Sequence, residues 1–359
     1  MMKPMLKHSL LTLALATITT VALAQGLPAG PKVTVSAVTQ VAPTVPQYTR
    51  VDVPILRDGA TKASGGRVEF NLKSWPEMNV QGPEVIRLVR SGQVDIGAAP
   101  LTTVSGDVPI LDGIDLSGLN PELDQAHKVA DAVLPIANQE LERLGVKLIA
   151  TYPFPAQVFF CKKPIAGLAD LKGLKVRTNG PAQGDLMNAF GAQPTAIAFG
   201  EVYTALERGT VDCAITGTGS GNGVKWYEVT SHLYTLATSW SVSGYFVNLA
   251  WWNKLDPQVR NFIEAQMKQV QDAQWKLGAE VSQDGIDCNT GNAAACKIHT
   301  LVKTRPMVQV RATDADKARL REALAKVVLP SWVKRCGAKC GEIYNQVIAP
   351  ISGIKYSGG

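Results

Sequence analysis

Residues 170–217 read DLKGLKVRTNGPAQGDLMNAFGAQPTAIAFGEVYTALERGTVDCAITG. Short apolar runs alternate with helix-forming stretches, giving strand, helix, strand, helix, strand, the pattern of an α/β fold with a largely parallel sheet. Arg177 closes the first strand. In open α/β sheets ligands sit beyond the carboxyl ends of the strands, so a cation there faces a crevice. Its planar guanidinium stays charged at neutral pH and can hold a carboxylate through two parallel hydrogen bonds. The competing reading is a surface arginine paired with Asp170 or Asp185.

Part of this stretch is echoed earlier in the chain. VIRLVRSGQVDIGAA begins at Val85 and VYTALERGTVDCAIT begins at Val202. Each reads as a helix, a glycine stop and a strand. Gly92 and Gly209 suit the left-handed position after a helix end, and the small apolar residues after Asp95 and Asp212 suit a strand buried on both faces. One such unit in each half predicts two similarly built α/β lobes.

Several motifs occur in register. DLKGLKVR runs through Arg177, Gly191-Ala192-Gln193-Pro194 follows, then Phe199 to Leu206, then Val211-Asp212. Together they resemble the extracytoplasmic solute-binding proteins of tripartite ATP-independent periplasmic (TRAP) transporters. The resemblance implies an α/β, two-lobed periplasmic binding protein fold of type II-like form, with a long spine helix joining the lobes. It implies a small organic acid as ligand, C4-dicarboxylates included, with separate small and large TRAP membrane subunits as partners. A carboxylate-sensing binding protein that serves a receptor is the alternative. By the same resemblance, Gln157, 20 positions before Arg177, lies beside the ligand carboxylate, and Phe199 lines the pocket. Thr216 takes the place of a frequent substrate-contacting asparagine. Tyr203, Trp240 and the first-lobe loop residues Trp75 and Thr39 are further contacts. Cys213-Ala-Ile-Thr-Gly217 replaces the family's common G-Q-E-N-P, which removes a glutamate that holds a cation in some relatives. No metal and no cofactor are expected.

The two ends of the chain carry different signals. Lys3 and Lys7, the apolar run Leu10 to Leu23 and Ala22-Leu23-Ala24 make the three parts of a secretory signal peptide over residues 1–24, which predicts export to the periplasm. Its loss would take two lysines from a formal charge of +6 and leave about 335 residues, enough for two cores. Lobe 1 is expected over 25–156 with returning segments from about 246–359, lobe 2 over 157–245, and a long interlobe helix over 255–285, started by the capping pair Asp256-Pro257. Tyr152-Pro-Phe-Pro-Ala is the first candidate hinge. Pro135 should kink or break the helix near 121–144. The tail, 286–359, should pack on the lobes rather than form a third domain.

The six cysteines of an exported chain favour disulfides, and Cys288 with Cys296 and Cys336 with Cys340 are the close pairs. Cys161 and Cys213, inside strand-like runs, read equally well as buried thiols; six cysteines allow 15 connectivities. The charged fraction is 18%, below the roughly 25% usual in soluble domains, and no basic run is interleaved with aromatics, so nucleic acid is not an expected partner. A monomer is expected. The histidines after residue 24, His127, His232 and His299, form no H-E-x-x-H, and Ser220 stands in no G-x-S-x-G. The chain therefore lacks the local signatures of common hydrolases and reads as a binding protein rather than an enzyme. Gly217 to Gly223 is neither G-x-G-x-x-G nor a Walker A loop, and reads as a flexible strand-to-helix turn.

Overall fold

A computed structural model describes residues 26–358; the expected signal peptide lies outside the described residues. The strands are β1 (Val33–Val38), β2 (Val68–Lys73), β3 (Ile96–Pro100), β4 (Val146–Tyr152), β5 (Gln157–Cys161), β6 (Lys175–Thr178), β7 (Gln193–Ala196), β8 (Cys213–Gly217), β9 (His232–Tyr234), β10 (Ser243–Asn248) and β11 (Val308–Val310). They form two sheets, ordered β2-β1-β3-β10-β4 in the first lobe and β11-β9-β5-β8-β6-β7 in the second. β1, β2 and β3 run parallel, as do β6, β7 and β8, whereas β10 and β5 are antiparallel to their neighbours.

The echoed units fold alike. The helices Val85–Arg90 and Val202–Glu207 end before Gly92 and Gly209, whose φ angles are +74° and +73°. A β-carbon would be strained at both. β3 and β8 are buried throughout. The aspartates between have one job in both lobes. The Asp95 backbone N–H donates to the Ser36 carbonyl and its carboxylate accepts from the Ser36 N–H; Asp212 does the same with Lys175. Each aspartate ties the start of its strand to the neighbouring parallel strand.

Among the described residues two short segments and a long helix lead from one sheet to the other before the tail. Residues 153–156 link β4 to β5, and residues 235–242 link β9 to β10. The long helix is the spine, Pro257–Asn289, whose 33 residues span about 50 Å. The Asp256 carboxylate accepts from the Gln258 and Val259 N–H groups and so caps it, as the Asp-Pro pair predicts. Val259, Ile263, Met267 and Val270 face the first-lobe core. Near its far end the spine meets the helix Thr218–Gly223, and here the sequence reading is corrected. The glycine-rich run is a buried helix, not a flexible turn. A β-carbon on Gly285 would lie 2.5 Å from the Gly219 nitrogen, and one on Gly221 would lie 2.5 Å from Phe160. The glycines permit close packing, and Asn289 Nδ2 donates to the Thr218 carbonyl across the contact.

Pro135 also departs from expectation, since the helix Leu123–Arg143 continues through it unbroken. Pro135 lies on the exposed face, where water can serve the carbonyl whose N–H partner is missing. In the tail, β11 extends the second sheet, and Thr313 and Asp316 form a capping box for the helix Asp314–Ala323. The helix Leu329–Cys336 packs against residues 109–114, where Trp332 Nε1 donates to the Pro109 carbonyl. Disulfides join Cys288 to Cys296 and Cys336 to Cys340, and a third joins Cys161 to Cys213 across directly opposed positions of β5 and β8. Among the described residues no helix is long and apolar enough to cross a membrane.

Candidate ligand-binding site

The carboxyl ends of β1, β2 and β3 in one lobe and of β6, β7 and β8 in the other converge on one cavity of about 620 Å³. That is the place an open α/β sheet offers a ligand, and the volume lies within the roughly 300–1,000 Å³ of small-molecule pockets. The first lobe contributes Val41, Trp75, Gln81, Pro83, Pro100 and Thr103. The second contributes Gln157, Arg177 to Pro181, Gly184, Pro194, Ala196 to Phe199, Thr216 and Ser220. The two crossing segments add Phe154 and Ser241. The lobes touch beside it: a β-carbon on Gly180 would lie 2.2 Å from Thr102 Oγ1, and the Thr44 hydroxyl donates to the Gly223 carbonyl at 3.2 Å.

Arg177 is 4% exposed. Its Nε donates to the Ile197 carbonyl and its Nη1 to the Ile215 carbonyl, both at 2.9 Å. These bonds fix the plane of the guanidinium and leave three of its five N–H donors uncommitted. Among the described residues no carboxylate pairs with it; Asp185 pairs with Arg335 instead, and Asp170 accepts the Ala166 N–H. Burial lowers its pKa to about 9, so it is a cation at neutral pH, with Cζ 6.0 Å from the centre of the Phe199 ring. Gln157, which also lines the cavity, donates through Nε2 to the Pro155 carbonyl at 2.8 Å, which spends one amide N–H and holds the side chain in place. The first turn of the helix Pro181–Ala189 also lines the cavity, adding the partial positive charge of a helix start.

Of the residues singled out from sequence, Arg177, Gln157, Phe199, Thr216 and Trp75 come together here. Thr39, Tyr203 and Trp240 do not line the cavity. Trp240 is packed in the core with Nε1 donating to the Asn120 carbonyl, Thr39 is fully buried, and Tyr203 donates its hydroxyl to Glu228. Beside two of them the backbone is left-handed, with φ angles of +55° at Gln40 and +45° at Ser241, and Val41 and Ser241 line the cavity instead. Thr178, Asn179, Ser220, Gln81 and Thr103 were not anticipated. The Thr-Asn-Gly-Pro turn following Arg177, at the end of a strand and the start of a helix, was the available signal for Asn179.

Two α/β lobes, two crossing segments, a spine helix and a cavity between the lobes define the class of two-lobed solute-binding proteins. The chain belongs to the bacterial extracellular solute-binding protein family 7, which it matches over residues 38–334. It is 30% identical over 223 residues to the 2,3-diketo-L-gulonate-binding periplasmic protein YiaO of Escherichia coli, covering 61% of this chain and 68% of that one. A Bordetella pertussis extracytoplasmic solute receptor binding pyroglutamic acid superposes with a TM-score of 0.76 at 21% identity, covering 89% of this chain and 99% of the receptor. A TRAP periplasmic solute-binding protein of Desulfovibrio salexigens with bound orotic acid gives the same TM-score, identity and coverage. One from Sulfurospirillum deleyianum with bound succinate gives 0.76 at 19%, covering 91% and 100%. These likenesses show the fold.

Proposed function

We propose that this chain is the periplasmic ligand-capturing component of a TRAP-type transporter, binding a small carboxylate through Arg177 and delivering it to the membrane subunits without bond chemistry. The observation that carries the reading is the buried Arg177 cation with three free N–H donors and no carboxylate partner among the described residues. An unpaired buried charge is costly, and a ligand carboxylate relieves that cost where no protein group does. Gln157 and Thr216 also line the cavity and supply neutral hydrogen-bonding groups, and Trp75 and Phe199 give it aromatic wall. Because closing the lobes removes water from Arg177, closure depends on ligand. The family membership and the organic acids bound by its structural neighbours support this reading.

A thermal-shift screen of the purified protein against mono-, di-, 2-oxo and aromatic carboxylates, with sugars and neutral amides as controls, tests it. Saturation at 100 times the dissociation constant adds about 2.7 kcal/mol of stability. Stabilisation by acids and not by the controls is expected. A response to sugars or amides with silence across the acids would overturn the assignment.

A further inference from the structure

We infer that the ligand is a monocarboxylate whose remaining body is uncharged and largely apolar, and that the site rejects dicarboxylates and zwitterionic amino acids. The inference rests on the carboxylate reading and goes past it to the substrate class. It comes from the charge inventory of the cavity. Among its lining residues Arg177 alone is charged; there is no second Lys, Arg or His, and no Asp or Glu. One carboxylate therefore exhausts the available countercharge. A second carboxylate, or the ammonium of an amino acid, would be taken from water with no opposite charge to meet it.

The acids of the neighbouring segments, Asp112, Asp115, Glu84 and Glu77, do not line the cavity, and each is held by its own chain, Asp112 by Arg335. Asp115 accepts the Trp240 and Val242 backbone N–H groups on either side of Ser241, and Asn120 Nδ2 as well. Glu84 accepts the Gln81 N–H, and Glu77 accepts the Ser74 N–H and hydroxyl.

The shape and surface agree with the charge. Trp75, Phe154 and Phe199, with Pro83, Pro194 and Ile197, give walls that make mainly van der Waals contact. Trp75 presents ring surface without a free donor, since its Nε1 donates to the Ala98 carbonyl at 3.0 Å. Such walls fit a ring or a branched body and offer little to the far carboxylate of a linear diacid.

Titration calorimetry with matched probes tests the inference: cyclohexanecarboxylate against trans-cyclohexane-1,4-dicarboxylate, benzoate against terephthalate, and 3-phenylpropanoate against phenylalanine. At least one monoacid should bind, and its matched partner should bind at least about 100-fold more weakly. A second arm uses Thr103→Lys, which places a cation on the first-lobe wall. It should improve binding of the matched diacid at least about 10-fold, and no gain would count against the charge argument. A diacid or amino acid that equals or exceeds its monoacid in the unaltered protein overturns this inference and leaves the carboxylate reading standing. Failure of every acid in the pairs, with sugars or amides binding instead, overturns both.

Discussion

Arg177 and Asp52 are both buried ionisable side chains, at 4% and 0% exposure, and the protein treats them in opposite ways. Asp52 sits in the first-lobe core, and its carboxylate accepts from Gln40 Nε2, the Tyr245 hydroxyl and Gln274 Nε2. Those donors come from the segment after β1, from β10 and from the spine helix, so the aspartate binds together the elements that lead out of the first lobe. Among the described residues Arg177 bonds only to two carbonyls, which orient it without neutralising it. A buried charge given several hydrogen bonds by its own chain serves the fold, whereas one oriented but left uncompensated toward a cavity is prepared for a ligand.

The difference should show most strongly in binding. Arg177→Met should weaken carboxylate affinity by about 100-fold or more in calorimetry, since two charge-assisted bonds contribute roughly 1.5–3 kcal/mol each. Its ligand-free melting temperature should change far less than that of an Asp52 variant. Asp52→Ala, in turn, should cost roughly 2–4 kcal/mol in urea unfolding, because it strips the acceptor from three buried donors. The folded fraction should keep its carboxylate affinity within a few-fold. A reversal of the two phenotypes would break the comparison.

The pH dependence of stability gives a smaller test. Burial pushes Asp52 and Asp112 up to about 6 and Asp115 up to about 7. Each therefore holds a proton in the folded chain at pH values where the unfolded chain has lost it. Their contribution is fully present below the usual carboxylate range and fades as pH rises through about 6 to 7. Asp212, Asp284 and Asp316 act in the other direction: hydrogen bonds and ion pairs hold their pKa values low, and their stabilisation is lost as pH falls below the ordinary carboxylate range. The ligand-free protein should melt higher near pH 5.5 than near pH 8, and Asp115→Asn should reduce that difference. The smallest effect is expected for Tyr203→Phe. Its hydroxyl meets Glu228 outside the cavity, so stability should stay within about 0.5 kcal/mol and affinity should be unchanged.

Much of the fold was legible because its signals are local. Gly92 and Gly209 mark helix ends by conformation alone, Asp256-Pro257 starts the spine by capping chemistry, and Arg177 stands at a strand end inside a run of linked motifs. The rest depended on distant partners or on single backbone angles. The Cys161–Cys213 bond requires the register of β5 against β8. Asp52 looks ordinary until residues 40, 245 and 274 surround it. Thr39 and Trp240 were nominated through the resemblance alone, and no glycine announces the left-handed conformations of Gln40 and Ser241 beside them.

The most direct test of the Arg177 assignment is a thermodynamic cycle measured by titration calorimetry. The best-binding carboxylic acid and its neutral primary amide would each be titrated into the unaltered protein and into Arg177→Met. The unaltered protein should prefer the acid by at least about 100-fold, and the variant should lose that preference. A preference for the acid that survives in Arg177→Met would show that the carboxylate is held elsewhere and would contradict the account.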